Sequence, residues 1–292
     1  MKHQTAVPSY VLQQLLQQGL PRAEWSITRP VHGQQKECYI AQSRDQTVFL
    51  KFEGAPIAIL QRLSDLGVSP RLLAGGECDG RRYAIHEYLA GEHPWGWRWF
   101  PENLPLLAET TRRYHCDRAL RQLLAEGVAD YHEQVDRELA GLERQLDGLA
   151  IEPALRGNLA AALAELQRQA QQLRPVELAP VHGDPNGLNF ILTRGRLLLV
   201  DWDDIALADP MREIGQWLCW YVGQEQWPVF FARYRCTLDQ ALTDRLFWWA
   251  VRASFANAVW HLSRQYPHQV FVRDCWDALE QRMTPHQVFA GT

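Results

Sequence analysis

The sequence predicts an α+β chain of two lobes, a small β-rich N-terminal lobe over residues 1–88 and a larger, mainly helical C-terminal lobe over 89–292. Three observations predict it. In the first ninety residues, short β-branched and aromatic runs alternate with turn residues. Beyond Ala90-Gly91, leucines step by three and four over long stretches, the spacing of one helix face. Between Val181 and Asp204 the helical pattern gives way to VHGDPNGLNFILTRGRLLLVDWDD, where His, Asp and Asn crowd around two apolar strands.

Each element has its own local reason. WSITRPV, ECYIAQ and TVFLKFE read as strands, with HGQQK and SRDQ as the turns between them. APIAILQRLSDLG sets Ile57, Leu60 and Leu63–Leu66 on a helical stripe and keeps Pro56 in a first turn, where its missing N–H costs nothing. RLLAGGEC and RRYAIHEYL are two further strands joined through Asp79-Gly80, a pair that tolerates the left-handed backbone of a tight hairpin. A hinge near Glu87–Gly91 follows. Leu120, Leu124, Val128, Tyr131, Val135, Leu139 and Leu142 make one long amphipathic helix or a pair. Leu155, Leu159, Leu163, Leu166 and Leu173 repeat the pattern, and helices resume from about Arg212. No internal repeat or low-complexity tract interrupts the chain.

Composition bounds the function. Apolar residues make up 47% and charged residues 22%, a globular balance rather than a disordered one. Net charge is −4, with a pI near 6.2, so no basic surface recruits nucleic acid in bulk. Mild acidity suits a cationic small molecule. Two Gln pairs interrupt the first twenty residues, which excludes a signal peptide, and no apolar run has the roughly eighteen residues of a membrane span. Six scattered cysteines without a C-x-x-C pair fit reduced thiols in a cytoplasmic protein.

The chemistry lies in residues 181–204. His182, Asp184 and Asn189 have the spacing H-x-D-x-x-x-x-N of a phosphotransfer catalytic loop. One carboxylate, Asp184, must reach the hydroxyl that attacks a γ-phosphate and accept its proton. An amide oxygen a tight loop away, Asn189, must coordinate the magnesium that neutralises the phosphates. Pro185, Asn186 and Gly187 are turn residues that fold the backbone back between the two. The strand RLLLVD then delivers Asp201, a second oxygen ligand for the metal of a magnesium–ATP complex. The bland alternative, a turn followed by a buried strand with a solvated end, explains each residue singly but not the ordered set.

The chain resembles the aminoglycoside phosphotransferase and choline kinase group, relatives of the protein kinases. HGDPNGLN is similar to that family's HGDxxxxN, and LVDWDDIALADP to its IDWExxxxGDP. LLAETTRRYH resembles its helix ending in LH, and IHEYLAG its hinge strand. The resemblance covers most of the chain. It implies a bilobal protein-kinase-like fold that binds ATP, with Asp184 as catalytic base and Asn189 and Asp201 as magnesium ligands. His182 would orient the loop through hydrogen bonds. Asp203 and Glu213 fall where the family also carries acids, and read as structural.

On the nucleotide side, Lys51 in TVFLKFE sits where a kinase lysine grips the α- and β-phosphates. The family pairs it with a glutamate on the next helix, and here that helix has none. Glu53, two residues along the strand, is expected to face the same side and substitute, or phosphate alone holds the lysine. Gly33 lies in the turn that covers the phosphates, and backbone groups near His86 and Tyr88 face adenine.

The acceptor is expected to be a small-molecule hydroxyl on a cationic compound. Asp184, Asp203, Asp204, Asp130 and Glu133 favour an aminoglycoside-like polycation, with antibiotic resistance as the outcome. The alternative is a kinase for choline, ethanolamine or another metabolite such as a vitamin or sugar; the 12 tryptophans, including Trp95, Trp97, Trp99, Trp217 and Trp220, would suit choline through cation–π contact, although such residues more often form core. A reading of another class is a nucleotide-binding module with little turnover, prompted by the missing helix glutamate.

Overall fold

A computed structural model of the chain describes residues 7–30, 37–91, 93 and 99–283. Contacts divide the chain into two compact units: Met1–His93 with Leu188–Ile205, and Pro94–Gly187 with Ala206–Thr292. In chain order the strands are β1 (Ser26–Thr28), β2 (Cys38–Gln42), β3 (Thr47–Phe52), β4 (Leu72–Cys78), β5 (Arg81–Glu87), β6 (Ala179–Val181), β7 (Phe190–Thr193), β8 (Arg196–Leu199) and β9 (Ala206–Ala208). The helices begin with α1 (Ser9–Gly19), α2 (Ile57–Asp65), α3 (Trp99–Glu102), α4 (Leu104–His115), α5 (Arg118–Leu124) and α6 (Tyr131–Asp147). They continue with α7 (Pro153–Ala170), α8 (Met211–Tyr221), α9 (Trp227–Tyr234), α10 (Gln240–Ser263) and α11 (Gln269–Leu279).

The first unit is built on an antiparallel sheet in the order β1-β2-β3-β5-β4. Val48, Leu50 and Phe52 point into its core, and strand alternation therefore puts Lys51 on the opposite face. The hairpin between β4 and β5 turns at Asp79 and Gly80, both with positive φ (51° and 71°), as a tight primed turn demands. One element departs from the β-rich expectation: residues 9–19 form α1. Leu12, Leu15 and Leu16, spaced by three and four, bury one face of that helix against Trp25, Leu50 and Ile85. Gly19 permits this approach, since a Cβ there would come within 2.5 Å of the Ala74 side chain.

The hairpin β7–β8 belongs to the same unit. Leu199 N–H donates to Val68 O at 2.8 Å, and the His93 ring contacts Phe190 O at 2.9 Å. Its turn uses Arg194 and Gly195, again both at positive φ.

The second unit is mainly helical. The run from Leu120 to Leu142 is a pair of helices, α5 and α6, separated near Gly127, whose φ of +68° ends helical geometry. Tyr131, Val135, Leu139, Leu142 and Leu146 form the buried stripe of α6. The long α10 packs on α8 and α11 and buries Trp248, Trp249 and Phe255. A half-buried ion network ties α6, α8 and α10 together. Arg252 Nε donates to Glu138 at 2.7 Å, and Arg212 reaches the same carboxylate at 3.1 Å. Strands β6 and β9 pair antiparallel and carry the chain into and out of the segment that holds the candidate catalytic residues.

Candidate active site

In the first unit, strand β3 and the end of β8 bring three charges together. Lys51 Nζ donates to Asp203 Oδ1 at 2.7 Å and also pairs with Asp201. Asp201 has a left-handed backbone (φ 63°, ψ 53°), a conformation uncommon for any residue but glycine. It turns the chain abruptly at the strand end, and the following 3-10 turn, Trp202–Asp204, is pegged by Trp202 Nε1–H donating to Leu199 O at 2.8 Å. Asn189 closes the 3-10 turn Gly187–Asn189 and is buried, and its carbonyl accepts from Val200 N–H at 2.9 Å. Asn189 and Asp201 thus leave the same end of the β7–β8 hairpin.

Glu53 pairs with Arg81. β3 ends at Phe52, and Glu53 takes a positive φ of 58°, so strand alternation no longer governs where its side chain points. Its carboxylate accepts from Arg81 Nε at 3.0 Å. Arg81 also donates to Glu37 at 2.7 Å; its guanidinium and the other donors on Glu37, Tyr39 and Val7, outweigh burial and hold that carboxyl below the usual range. Tyr88 N–H, one of the groups expected at adenine, donates to Thr47 O at 3.2 Å and so serves the sheet. His86 lies on β5, where burial lowers its pKa. Gly33, Trp95 and Trp97 lie outside the described residues.

In the second unit, the loop after β6 is held at several points. Asp184 N–H donates to His182 Nδ1 at 3.3 Å, and Gly183 between them has φ +89°, which a side chain would resist. Asn186 Nδ2 donates to both oxygens of the Asp184 carboxylate, at 3.0 Å each. Trp217 on α8 is fully buried and its Nε1–H donates to Pro185 O at 2.9 Å, so this tryptophan is a peg for the loop. Trp220, Trp248 and Trp249 are likewise core, while Trp260 is half exposed.

Glu213, also on α8, is 1% exposed and is the hub beneath this loop. Its Oε2 accepts His182 N–H at 2.8 Å, and its Oε1 accepts Tyr114 Oη–H at 2.5 Å and faces His115 Nε2 at 2.6 Å. The other His115 nitrogen contacts Tyr234 Oη at 2.8 Å. Burial alone would push the Glu213 carboxyl up, but the bonds from His115 and Tyr114 outweigh it and hold the carboxyl below its ordinary value. Burial keeps Tyr114 and Tyr234 protonated by raising both well above a tyrosine's usual range. Asp130 is the N-cap of α6, accepting Glu133 N–H at 2.9 Å, and Glu133 pairs with Arg137.

A family model described as the phosphotransferase enzyme family matches residues 6–249. The chain belongs to that family. It is a small-molecule phosphotransferase, and its fold is kinase-like. The choline kinase of Cryptosporidium parvum Iowa II shares the fold with a TM-score of 0.69 at 10% identity, over 94% of this chain and 95% of that one. A choline/ethanolamine kinase family protein from Mesorhizobium loti gives 0.66 at 17% identity, over 93% and 94%. A thermostable mutant of aminoglycoside phosphotransferase APH(4)-Ia, in ternary complex with AMP-PNP and hygromycin B, gives 0.66 at 15% identity, over 93% and 98%.

Tyr114, His115 and Tyr234 were not assignable as loop supports from this phosphotransferase's sequence, because each lies far along the chain from His182. The helix-ending Tyr114-His115 and the acid at Glu213 are the only local signals. Among the described residues no helix is long and apolar enough to cross a membrane.

Proposed function

We propose that this phosphotransferase moves the γ-phosphate of ATP to a hydroxyl of a small cationic molecule, with magnesium as the metal. The reading is carried by one observation: Lys51 and the carboxylates of Asp201 and Asp203 are gathered at a strand end. A cation and two acids held there suit a polyphosphate and its metal. The side chains of Asn189 and Asp201 would hold magnesium, an all-oxygen donor set that a hard cation prefers, and magnesium supplies neutralisation of phosphate charge. Residues 1–88 are the nucleotide-binding part in this reading, with the main chain near His86 and the Gly33 turn beside the nucleotide, and 89–292 the catalytic and acceptor-binding part.

Asp184 is the general base. It accepts the acceptor's hydroxyl proton as that oxygen bonds to phosphorus and the bond to the ADP oxygen breaks. The proton stays on the carboxyl until product leaves. His182, Pro185 and Asn186 keep the carboxylate in place, and Lys51 binds the α- and β-phosphates.

The first acceptor class is an aminoglycoside-like polycation, for which Asp203 and Asp204 lie beside the metal ligand; on that reading the outcome is antibiotic resistance. A specific observation favours choline or ethanolamine as the second: Asp130 caps α6, Glu133 pairs with Arg137 and Asp203 pairs with Lys51, so three of the acids assigned to a polycation already have protein partners. The six cysteines are free thiols, which supports a reducing, cytoplasmic setting. The test is ADP release by purified protein with ATP and magnesium against aminoglycosides, choline and ethanolamine. ADP release unaffected by every cationic alcohol would overturn the acceptor class, and ATP that stays intact with all of them would leave a binding module.

A further inference from the structure

We infer that Asp203 is the positioning partner of Lys51, filling the role for which α2 offers no glutamate; this rests on the ATP-dependent reading above. α2 carries a single acid, Asp65 at its last turn, and that carboxylate accepts from Gln61 Nε2 at 2.8 Å. Lys51 instead meets two carboxylates, and their surroundings differ. The side chains of Lys51 and Asp203 are each 14% exposed, whereas that of Asp201 is 37% exposed. The sheltered pair is therefore Lys51–Asp203, and Asp201 is the more exposed of the two carboxylates. Charges shielded from water couple more strongly than exposed ones.

Two further features fix the sheltered pair. Asp203 sits in the turn pegged by the Trp202 indole, so its place is set by a buried side chain. Gly54 passes close above it: a Cβ on Gly54 would lie 3.4 Å from Asp203 Oδ1 and 4.0 Å from Lys51 Cδ. The backbone there covers the pair. A lysine ammonium on a flexible stem needs such a partner to be held where a phosphate meets it. With magnesium held by Asp201, Asp203 would retain the lysine.

The test is calorimetric titration with magnesium and AMP-PNP. It compares wild type, Asp203→Asn, Asp203→Glu, Lys51→Ala and the Lys51→Ala/Asp203→Asn double variant, each checked for folding by thermal melt. Asp203→Asn is expected to weaken nucleotide binding about tenfold, the size of a coupled ion pair. The same change in the Lys51→Ala background is expected to cost nothing further. The magnesium concentration for half-saturation should match wild type, and Asp203→Glu should recover part of the loss. If Asp203→Asn does not fold, Asp203→Ala carries the same cycle. Additive losses would overturn the inference, as would a magnesium requirement raised as far as by Asp201→Ala, which would make Asp203 a metal ligand. Wild-type protein that binds no magnesium–nucleotide would remove the ATP reading itself, a result separable from any behaviour of the Asp203 variants.

Discussion

Asp184, the proposed base, is an exposed carboxylate held by its neighbours. Its backbone is tied to His182 and its two oxygens to the Asn186 amide, which fixes the orientation in which the proposed base would meet a hydroxyl. Asp184→Asn keeps the side chain's size and the backbone bond to His182 but leaves Asn186 one acceptor oxygen in place of two, and it cannot take a proton. We expect kcat to fall by roughly 10²–10⁴ with nucleotide affinity unchanged; near-normal turnover by a folded variant would eliminate the proposed base. Asp201→Ala should raise the magnesium requirement more than Asn189→Ala, since a carboxylate carries charge that an amide lacks. Equal and small effects in metal titrations would move the metal elsewhere. Glu53 teaches the limit of strand alternation at the same scale. Two positions apart predicts one face only while the chain stays extended, and a single left-handed residue hands Glu53 to Arg81.

At the scale of elements, α8 supports the loop after β6 twice, through Trp217 on Pro185 and Glu213 on His182. Glu213→Ala would leave the donors of Tyr114, His115 and His182 buried without their acceptor, and should cost about 3–5 kcal/mol of stability. Urea melts measure it, and a loss below 1 kcal/mol would show that the hub contributes little. The pH dependence has a definite sign. Glu213 has its folded-state pKa below the ordinary value of 4.5, so its contribution is complete above that pH and is lost as pH falls through the depressed folded value. Glu213→Gln should therefore remove part of the slope of stability against pH below pH 4.5; an unchanged slope would assign acid sensitivity to other carboxylates.

For the whole molecule, ligand binding and folding are linked. Magnesium and ATP at one hundred times the dissociation constant should add about 2.7 kcal/mol. That stabilisation raises Tm by on the order of 5–10 °C. A melt that ATP and magnesium leave unmoved would contradict nucleotide binding altogether. An aminoglycoside acceptor should also lose apparent affinity as ionic strength rises, because its several charges act through screened Coulomb attraction; a single quaternary ammonium held by aromatic faces should lose less.

What the sequence by itself determined is what a short stretch can encode. Periods of two and of three to four mark β2, β3, β5, α6 and α7, because burial of one face imposes them residue by residue. The Asp79-Gly80 hairpin follows from backbone sterics, and the order His182, Asp184, Asn189, Asp201 is legible because one loop and one hairpin carry it. The tertiary structure alone decided the partners of buried charge. Lys51 and Asp203 stand 152 residues apart, and His115 and Glu213 stand 98 apart, separations across which no local period carries information. It also decided that Leu188–Ile205 packs with the first unit, through contacts such as Leu199 to Val68. A buried ion must find its counter-ion wherever folding brings one, so the choice among Glu53, Asp201 and Asp203 belongs to packing and desolvation, which act only once the chain is compact.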